Sequence, residues 1–429
     1  MAEAVEVTAK HWIVPVSKAA MRTINPIRIL ISSMDMKPNP DKEVIPLSIG
    51  DPSVFGNLDP DPTIKQALAH SVVSSNKAHG YAHSAGFPHA RTAVAEYVST
   101  PTAPLSHEDV FLASGASGAL ELAIPALADA GDNILIPNPG FSLYVTICEN
   151  HLIEPRPYKL LPETSWSVDL EHLSSLVDDK TRAILINSPS NPCGSVFSRE
   201  HLEAIVAVAE RHRLPIIADE IYAHVVFSGH EYISTASVSK NVPVLEIGGL
   251  AKRFLVPGWR LGWVCVHDRG GKMTDVKEGL FRLSTLVLGA NTHIQDALPD
   301  ILSHTPKEFF EYTLKTLERH ANICADCLRD APGLKIVQPE GSMCHLPHPP
   351  SHPPSHPTSL PPSLPPSQRQ PHLTATGPHR TPYLPRALTR NTTHTRYRTA
   401  RSSHTTPCRT HTDSETQAYT CTSTAATHE

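Results

Sequence analysis

Lys252 stands in Gly248-Gly-Leu-Ala-Lys252-Arg253, directly after the apolar run Val242 to Ile247 and ahead of Pro257-Gly-Trp-Arg260-Leu-Gly-Trp263. A lysine placed where a buried strand meets a glycine-rich turn is predicted to sit in a desolvated crevice. That lowers its pKa and makes it a carbonyl-condensing amine, a Schiff-base lysine. The same segment also reads as an ordinary strand exit carrying a solvated lysine. Upstream lie Asn187-Ser-Pro-Ser-Asn191-Pro192-Cys-Gly194 and Ala218-Asp219-Glu220-Ile-Tyr222. Each has a plain structural reading, because Asn-Pro and Cys-Gly form turns and Asp219 can cap a loop. A fourth piece, Ser114-Gly115-Ala116-Ser117-Gly118, is expected to open a helix that begins near Ala119. Small residues at a helix N-terminus let backbone N–H groups reach an anion, and they are also common caps.

The elements that would position these residues alternate β-rich apolar runs with amphipathic helices, the pattern of a mostly parallel sheet covered on both faces. Asn133 to Pro137, Arg182 to Asn187, Leu214 to Ala218, Val242 to Ile247 and Leu261 to Val266 read as strands. Between the second and third, Ser198-Arg-Glu-His201 precedes Leu202, Ile205, Val206 and Ala209 at helical spacing, which completes a βαβ unit. Such crossovers are right-handed, so the loops after both strands open at one edge of the sheet, where ligands bind. Asn191, Asp219 and Tyr222 follow adjacent strands, and with Lys252 and Arg260 they form a specific array.

The chain of 429 residues has room for two domains, and its net charge of −5 supplies no field for nucleic acid. The average hides a split. Residues 344–429 hold 8 arginines and 3 acidic residues, 15 prolines and 10 histidines, with no Val, Ile, Phe or Met, so they cannot build a core. No apolar run approaches the roughly 18 residues needed to span a membrane. The acidic start, Met1-Ala-Glu-Ala-Val-Glu-Val, shows neither the apolar stretch expected of a secretion signal nor the Arg-rich helix expected of a transit peptide, and the cysteines are scattered singly apart from Cys324-Ala-Asp-Cys327. A cytoplasmic enzyme with free thiols and no metal is expected. Four segments follow: 1–60, an arm and the first part of a small domain; 61–325, a large domain; 326–343, the start of the C-terminal small domain; and 344–429, a disordered tail. Gly333 to Val337 reads as a strand of the small domain, and the globular pattern ends at Met343.

The array resembles the fold-type I pyridoxal phosphate-dependent aminotransferases, over about Trp12 to Met343, including Asn25-Pro-Ile-Arg28, Ser48-Ile-Gly-Asp-Pro52 and Val54-Phe-Gly-Asn-Leu58. Pro192-Cys-Gly-Ser-Val-Phe-Ser198 and Gly248-Gly-Leu-Ala-Lys-Arg253 look more like the branch acting on aromatic amino acids than like its aspartate or alanine relatives. The resemblance implies an α/β fold with a seven-stranded type of sheet in the large domain. It implies pyridoxal 5′-phosphate held on Lys252, which would also move the proton between Cα and the cofactor. Asp219 would pair with the pyridine nitrogen, and Asn191 and Tyr222 would hydrogen-bond the phenolic oxygen. Gly115, Ala116, Ser117 and Arg260 would hold the phosphate, and Phe141 would stack on the ring. Tyr81 would reach the phosphate of a neighbouring subunit, which implies a homodimer, and Gly50 would donate to the substrate α-carboxylate. The implied reaction transfers the amino group of tyrosine to 2-oxoglutarate, giving 4-hydroxyphenylpyruvate and glutamate in tyrosine and phenylalanine catabolism. Another fold-type I reaction, of the alanine or β-lyase type, and an inactive cofactor-binding scaffold are the alternatives.

One element of the family pattern has no counterpart. The main carboxylate clamp is an arginine in the C-terminal part of the small domain, and here the chain instead enters Cys344-His-Leu-Pro-His-Pro-Pro350. Arg386, Arg390 and the other tail arginines sit in no strand-like context. A shifted reading frame or retained intron, a proline-rich arm that docks aromatic grooves, and histidine metal binding are three readings of the tail. Its irregular spacing is already accounted for by low-complexity composition.

Overall fold

A computed structural model describes residues 14–27, 29, 39–42, 50, 51, 53, 56 and 58–349. Trp12, Arg28, most of the motifs between 48 and 57, and the tail from 350 lie outside the described residues. Among the described residues, eight strands form one sheet: β1 Val110–Ser114, β2 Asn133–Asn138, β3 Glu154–Leu161, β4 Ser167–Val168, β5 Thr181–Asn187, β6 Ile216–Asp219, β7 Val244–Gly249 and β8 Leu261–His267. Their order is β1-β8-β7-β6-β5-β2-β3-β4. The pairs β2·β3, β2·β5, β5·β6 and β6·β7 are parallel, whereas β8 runs antiparallel to both of its neighbours. The two-residue β4 adds a short antiparallel edge to the expected seven strands.

Alternation along the central strands explains why both faces are covered. Ile134, Ile136, Ala183, Leu185, Ile217, Leu245 and Ile247 pack into one core. Leu135, Ile184, Ile186, Ile216, Ala218 and Val244 pack into another on the opposite face. Successive side chains of a strand point to opposite faces, so a strand buried on both sides reads as a continuous apolar run. The helix Arg199–His212 that joins β5 to β6 buries Leu202, Ile205, Val206 and Ala209, and the Ser198 hydroxyl accepts from the His201 N–H at its start.

Three expectations need correction. The helix after Ser114 begins at Gly115 rather than near Ala119, because small residues carry helical geometry as well as caps. Gly333 to Val337 forms no strand; Lys335 makes only an isolated bridge to His348. The packed chain also continues past Met343. Leu346 packs against the second core and the His348 ring meets Trp166 edge-on at 5.3 Å. Proline-rich composition concealed these two inserted side chains.

Candidate active site

The C-terminal ends of β5 and β6 meet in register, with Asn187 opposite Asp219. The Asn187 side chain ties the two following loops together: its Nδ2 donates to the Asp219 carbonyl at 2.8 Å, and its Oδ1 accepts from the Asn191 N–H at 2.7 Å. Asp219 is only 3% exposed. Tyr144 Oη donates to its Oδ2 at 2.7 Å and the Ile221 N–H to its Oδ1 at 3.3 Å. Burial pushes this carboxyl up to about 6, although both donors and the nearby Lys252 favour its ionised form.

Lys252 lies in the turn after β7, whose last two residues are Gly248 and Gly249. Its Nζ donates to the Gly50 carbonyl at 2.8 Å and lies 5.5 Å from the centre of the Tyr222 ring. Burial lowers its pKa, and Arg260 acts in the same direction, while Cys344, Asp51 and Asp219 oppose it. The amine is therefore easier to deprotonate than a solvated lysine. Tyr222 is buried, and burial raises its phenol well above the ordinary value. Its hydroxyl lies 3.9 Å from Cys344 Sγ, which in turn reaches Asn191 Oδ1 at 3.5 Å.

Arg260, in the left-handed region at φ 55°, sits immediately before β8. Because β8 is antiparallel, its start lies beside the end of β1, where Arg260 Nη2 donates to the Ser114 carbonyl at 3.3 Å. A Cβ on Gly115 would fall 2.7 Å from that guanidinium, and one on Gly262 would fall 2.4 Å from the Gly115 carbonyl carbon. Glycine at 262 lets the strand and helix backbones approach so closely, and the φ of +70° favours glycine at 115. The first N–H groups of the helix, from Gly115, Ala116 and Ser117, have no partner within it, so helix start and guanidinium converge as an anion cradle.

Asn191, Asp219, Tyr222, Lys252 and Gly50 thus gather in one place, with Arg260 and the Gly115 turn beside them. Phe141 meets the Tyr144 ring edge-on at 5.7 Å, one contact from Asp219. Tyr81 stands apart, 93% exposed. Asn187, Tyr144 and Cys344 were not anticipated as site residues. Asn187 lies inside a motif already singled out and Tyr144 three residues after Phe141, but nothing in their spacing reveals their contacts with Asp219. This donor set fits pyridoxal phosphate: an amine for its aldehyde, a buried carboxyl for a pyridinium, hydroxyl and amide groups for a phenolic oxygen, and a glycine-lined cradle for a phosphate. Among the described residues, no group of three or more metal-ligating side chains is gathered and no helix is long and apolar enough to cross a membrane.

Comparison with known proteins agrees with this geometry. The family described as aminotransferase class I and II matches residues 42–360. Tyrosine aminotransferase of Mus musculus is 51% identical over 334 residues, 78% of this chain and 73% of the relative. That of Dictyostelium discoideum is 49% identical over 342 residues, 79% and 82% of the two chains. The crystal structure of tyrosine aminotransferase from Leishmania infantum superposes with a TM-score of 0.74 at 37% identity, covering 78% of this chain and 82% of that one.

Proposed function

We propose that this chain, which belongs to the class I and II aminotransferases, moves the amino group of L-tyrosine to 2-oxoglutarate in amino-acid catabolism. Pyridoxal phosphate is the family's cofactor, and when bound it supplies an electron sink for negative charge at the substrate Cα. The observation that carries the reading is the convergence of Lys252, Asp219, Tyr222 and Asn191 at neighbouring strand ends in a chain about half identical to tyrosine aminotransferases.

Each residue then has a task. Lys252 would hold the cofactor through Nζ and, as a neutral amine, would carry a proton between the substrate Cα and the cofactor side. Asp219, oriented by Tyr144 and the Ile221 N–H, keeps the pyridine nitrogen protonated, because an opposite charge at contact favours the cation. Asn191 and Tyr222 donate to the phenolic oxygen. Arg260 and the N–H groups of Gly115, Ala116 and Ser117 hold the phosphate. Phe141 packs on the ring and Gly50 meets the substrate carboxylate.

Tyr81 acts across a homodimer interface in this reading. Its exposure supports that role, as does the exposed apolar run Leu286, Val287 and Leu288 downstream of Phe281, whose ring stacks on His83 at 5.1 Å. Residues 61–325 make the large domain, and the cytoplasm is the proposed site of action. A second reading, a chain that holds the cofactor but turns over slowly, is supported by the missing counterpart of the family's carboxylate-binding arginine. Loss of such a clamp removes orientation as well as affinity.

Borohydride reduction of the protein incubated with pyridoxal phosphate should fix the cofactor on Lys252, read by peptide mass spectrometry. Label on another lysine, or none, would overturn the assignment. On the same sample, tyrosine turnover equal to that of a chain with a complete C-terminal domain would remove the second reading.

A further inference from the structure

Cys344 is buried beside the cofactor-handling residues, yet none of the tasks above uses it. It is far in sequence from the two side chains it joins, with Sγ 3.5 Å from Asn191 Oδ1 and 3.9 Å from the Tyr222 hydroxyl. Its backbone fixes the thiol from both sides. The Cys344 N–H donates to Ser342 Oγ at 3.1 Å, and its carbonyl oxygen is so near Gly194 that a Cβ there would fall 2.7 Å away. Gly194 also has φ +74°, so the close approach and the backbone conformation both favour glycine.

The chemistry of an amide makes this placement consequential. Asparagine offers an acceptor at one end and donors at the other, and a negatively charged phenolic oxygen needs donors. With the sulfhydryl at Asn191 Oδ1, the acceptor end is occupied. If the amide were turned over, its carbonyl would face the phenolic oxygen instead, and two acceptors would repel.

We propose that Cys344 is a positioning residue for the cofactor, holding the Asn191 amide with its donor end free for the phenolic oxygen. The inference rests on the Lys252 reading above. The thiol must be protonated to act as a donor, and burial favours that form, while Tyr222, Lys252 and Ser342 pull the other way. The titratable groups around it are Lys252, Tyr222 and Cys193, with Asp219 behind Tyr222. Hydrogen bonds to the charged phenolic oxygen lower the pH at which the Lys252-bound cofactor loses its proton, so disturbing them raises it.

The test begins with the parent protein, where borohydride must label Lys252; failure there sinks the site reading and this inference together. With Lys252 labelled, the pH midpoint of the bound cofactor's absorbance change is measured in C344A and C344S. The midpoint should rise in C344A by about half a pH unit, the scale of one neutral hydrogen bond. Serine keeps an O–H donor and should restore the parent midpoint. Should C344A fail to fold, C344V supplies a similar volume without the donor and should show the same rise. An unchanged midpoint in the folded donor-less variant, or a serine variant that shifts equally, overturns the role of Cys344 while leaving the Lys252 site intact.

Discussion

Asp219 and Glu220 are consecutive at the end of β6 and both are buried, yet they serve two different surroundings. Asp219 faces the Tyr144 side and the amine of Lys252. Glu220 turns to the other face, where it accepts from the Tyr232 hydroxyl and from the Thr235 N–H at 2.8 Å. There it lines a cleft of about 230 Å³ together with Glu246, Arg253 and Trp263. Burial raises both acids, Asp219 to about 6 and Glu220 to about 8, and the larger rise at Glu220 also reflects repulsion from Glu246. Desolvation alone therefore does not identify a working carboxylate. Each carboxyl accepts from two donors; the distinguishing feature is the charge beside it, a cation at Asp219 and a second acid at Glu220.

The sharpest way to break this comparison is Asp219→Asn. The cofactor should still be fixed on Lys252, but turnover should fall about a hundredfold, since an opposite charge at contact is worth about two pKa units. Steady-state kinetics checks it, and a loss under threefold would remove Asp219 from the chemistry. Tyr144→Phe takes one donor from the carboxylate and should cost roughly fivefold in turnover. If its activity matches the parent, Asp219 is held without help from Tyr144.

The smallest effect is expected across the sheet, from Glu246→Gln. Glu246 is raised to about 8 from an ordinary 4.5, and its Oε2 lies 2.9 Å from His267 Nε2. Burial drives both partners toward their neutral forms, lifting the carboxyl and lowering His267 to about 4. The folded chain keeps the Glu246 proton that the unfolded chain releases, so this group's stabilising contribution shrinks as pH rises from 4.5 toward 8. An amide does not titrate. Glu246→Gln should therefore match the parent Tm near pH 5 and exceed it by about 3 °C at pH 8, with turnover within twofold. A variant destabilised equally at both pH values would mean that the acid is ionised and paired.

The same two faces show what could be read from sequence. The central strands were legible because continuous apolar runs mark strands buried on both sides, and β5 to β8 lie within two residues of the expected positions. β1 and β3 were passed over for different reasons. Val110-Phe-Leu-Ala-Ser114 is short, and Glu154 to Leu161 carries Pro155 and Pro157, which suit a strand paired to only a two-residue neighbour on its outer side. Asn191, Asp219, Lys252 and Arg260 were legible because each sits at a strand end with a recognisable motif. Tyr144 and Cys344 were not, since their roles depend on contacts from 75 and 153 residues away. No local pattern encodes such a meeting.

The reversal of β8 has one more result. Lys252 and Arg260 stand at opposite ends of a single connection, leaving β7 and entering β8 at the same edge of the sheet. The segment between them works as a caliper whose jaws are the amine and the guanidinium, and Phe254, Leu255 and Val256 along it are all buried. A residue inserted between those jaws would change their separation, whereas a longer loop after β5 or β6 would leave both in place. The length of that connection therefore bounds the span between the amine and the guanidinium.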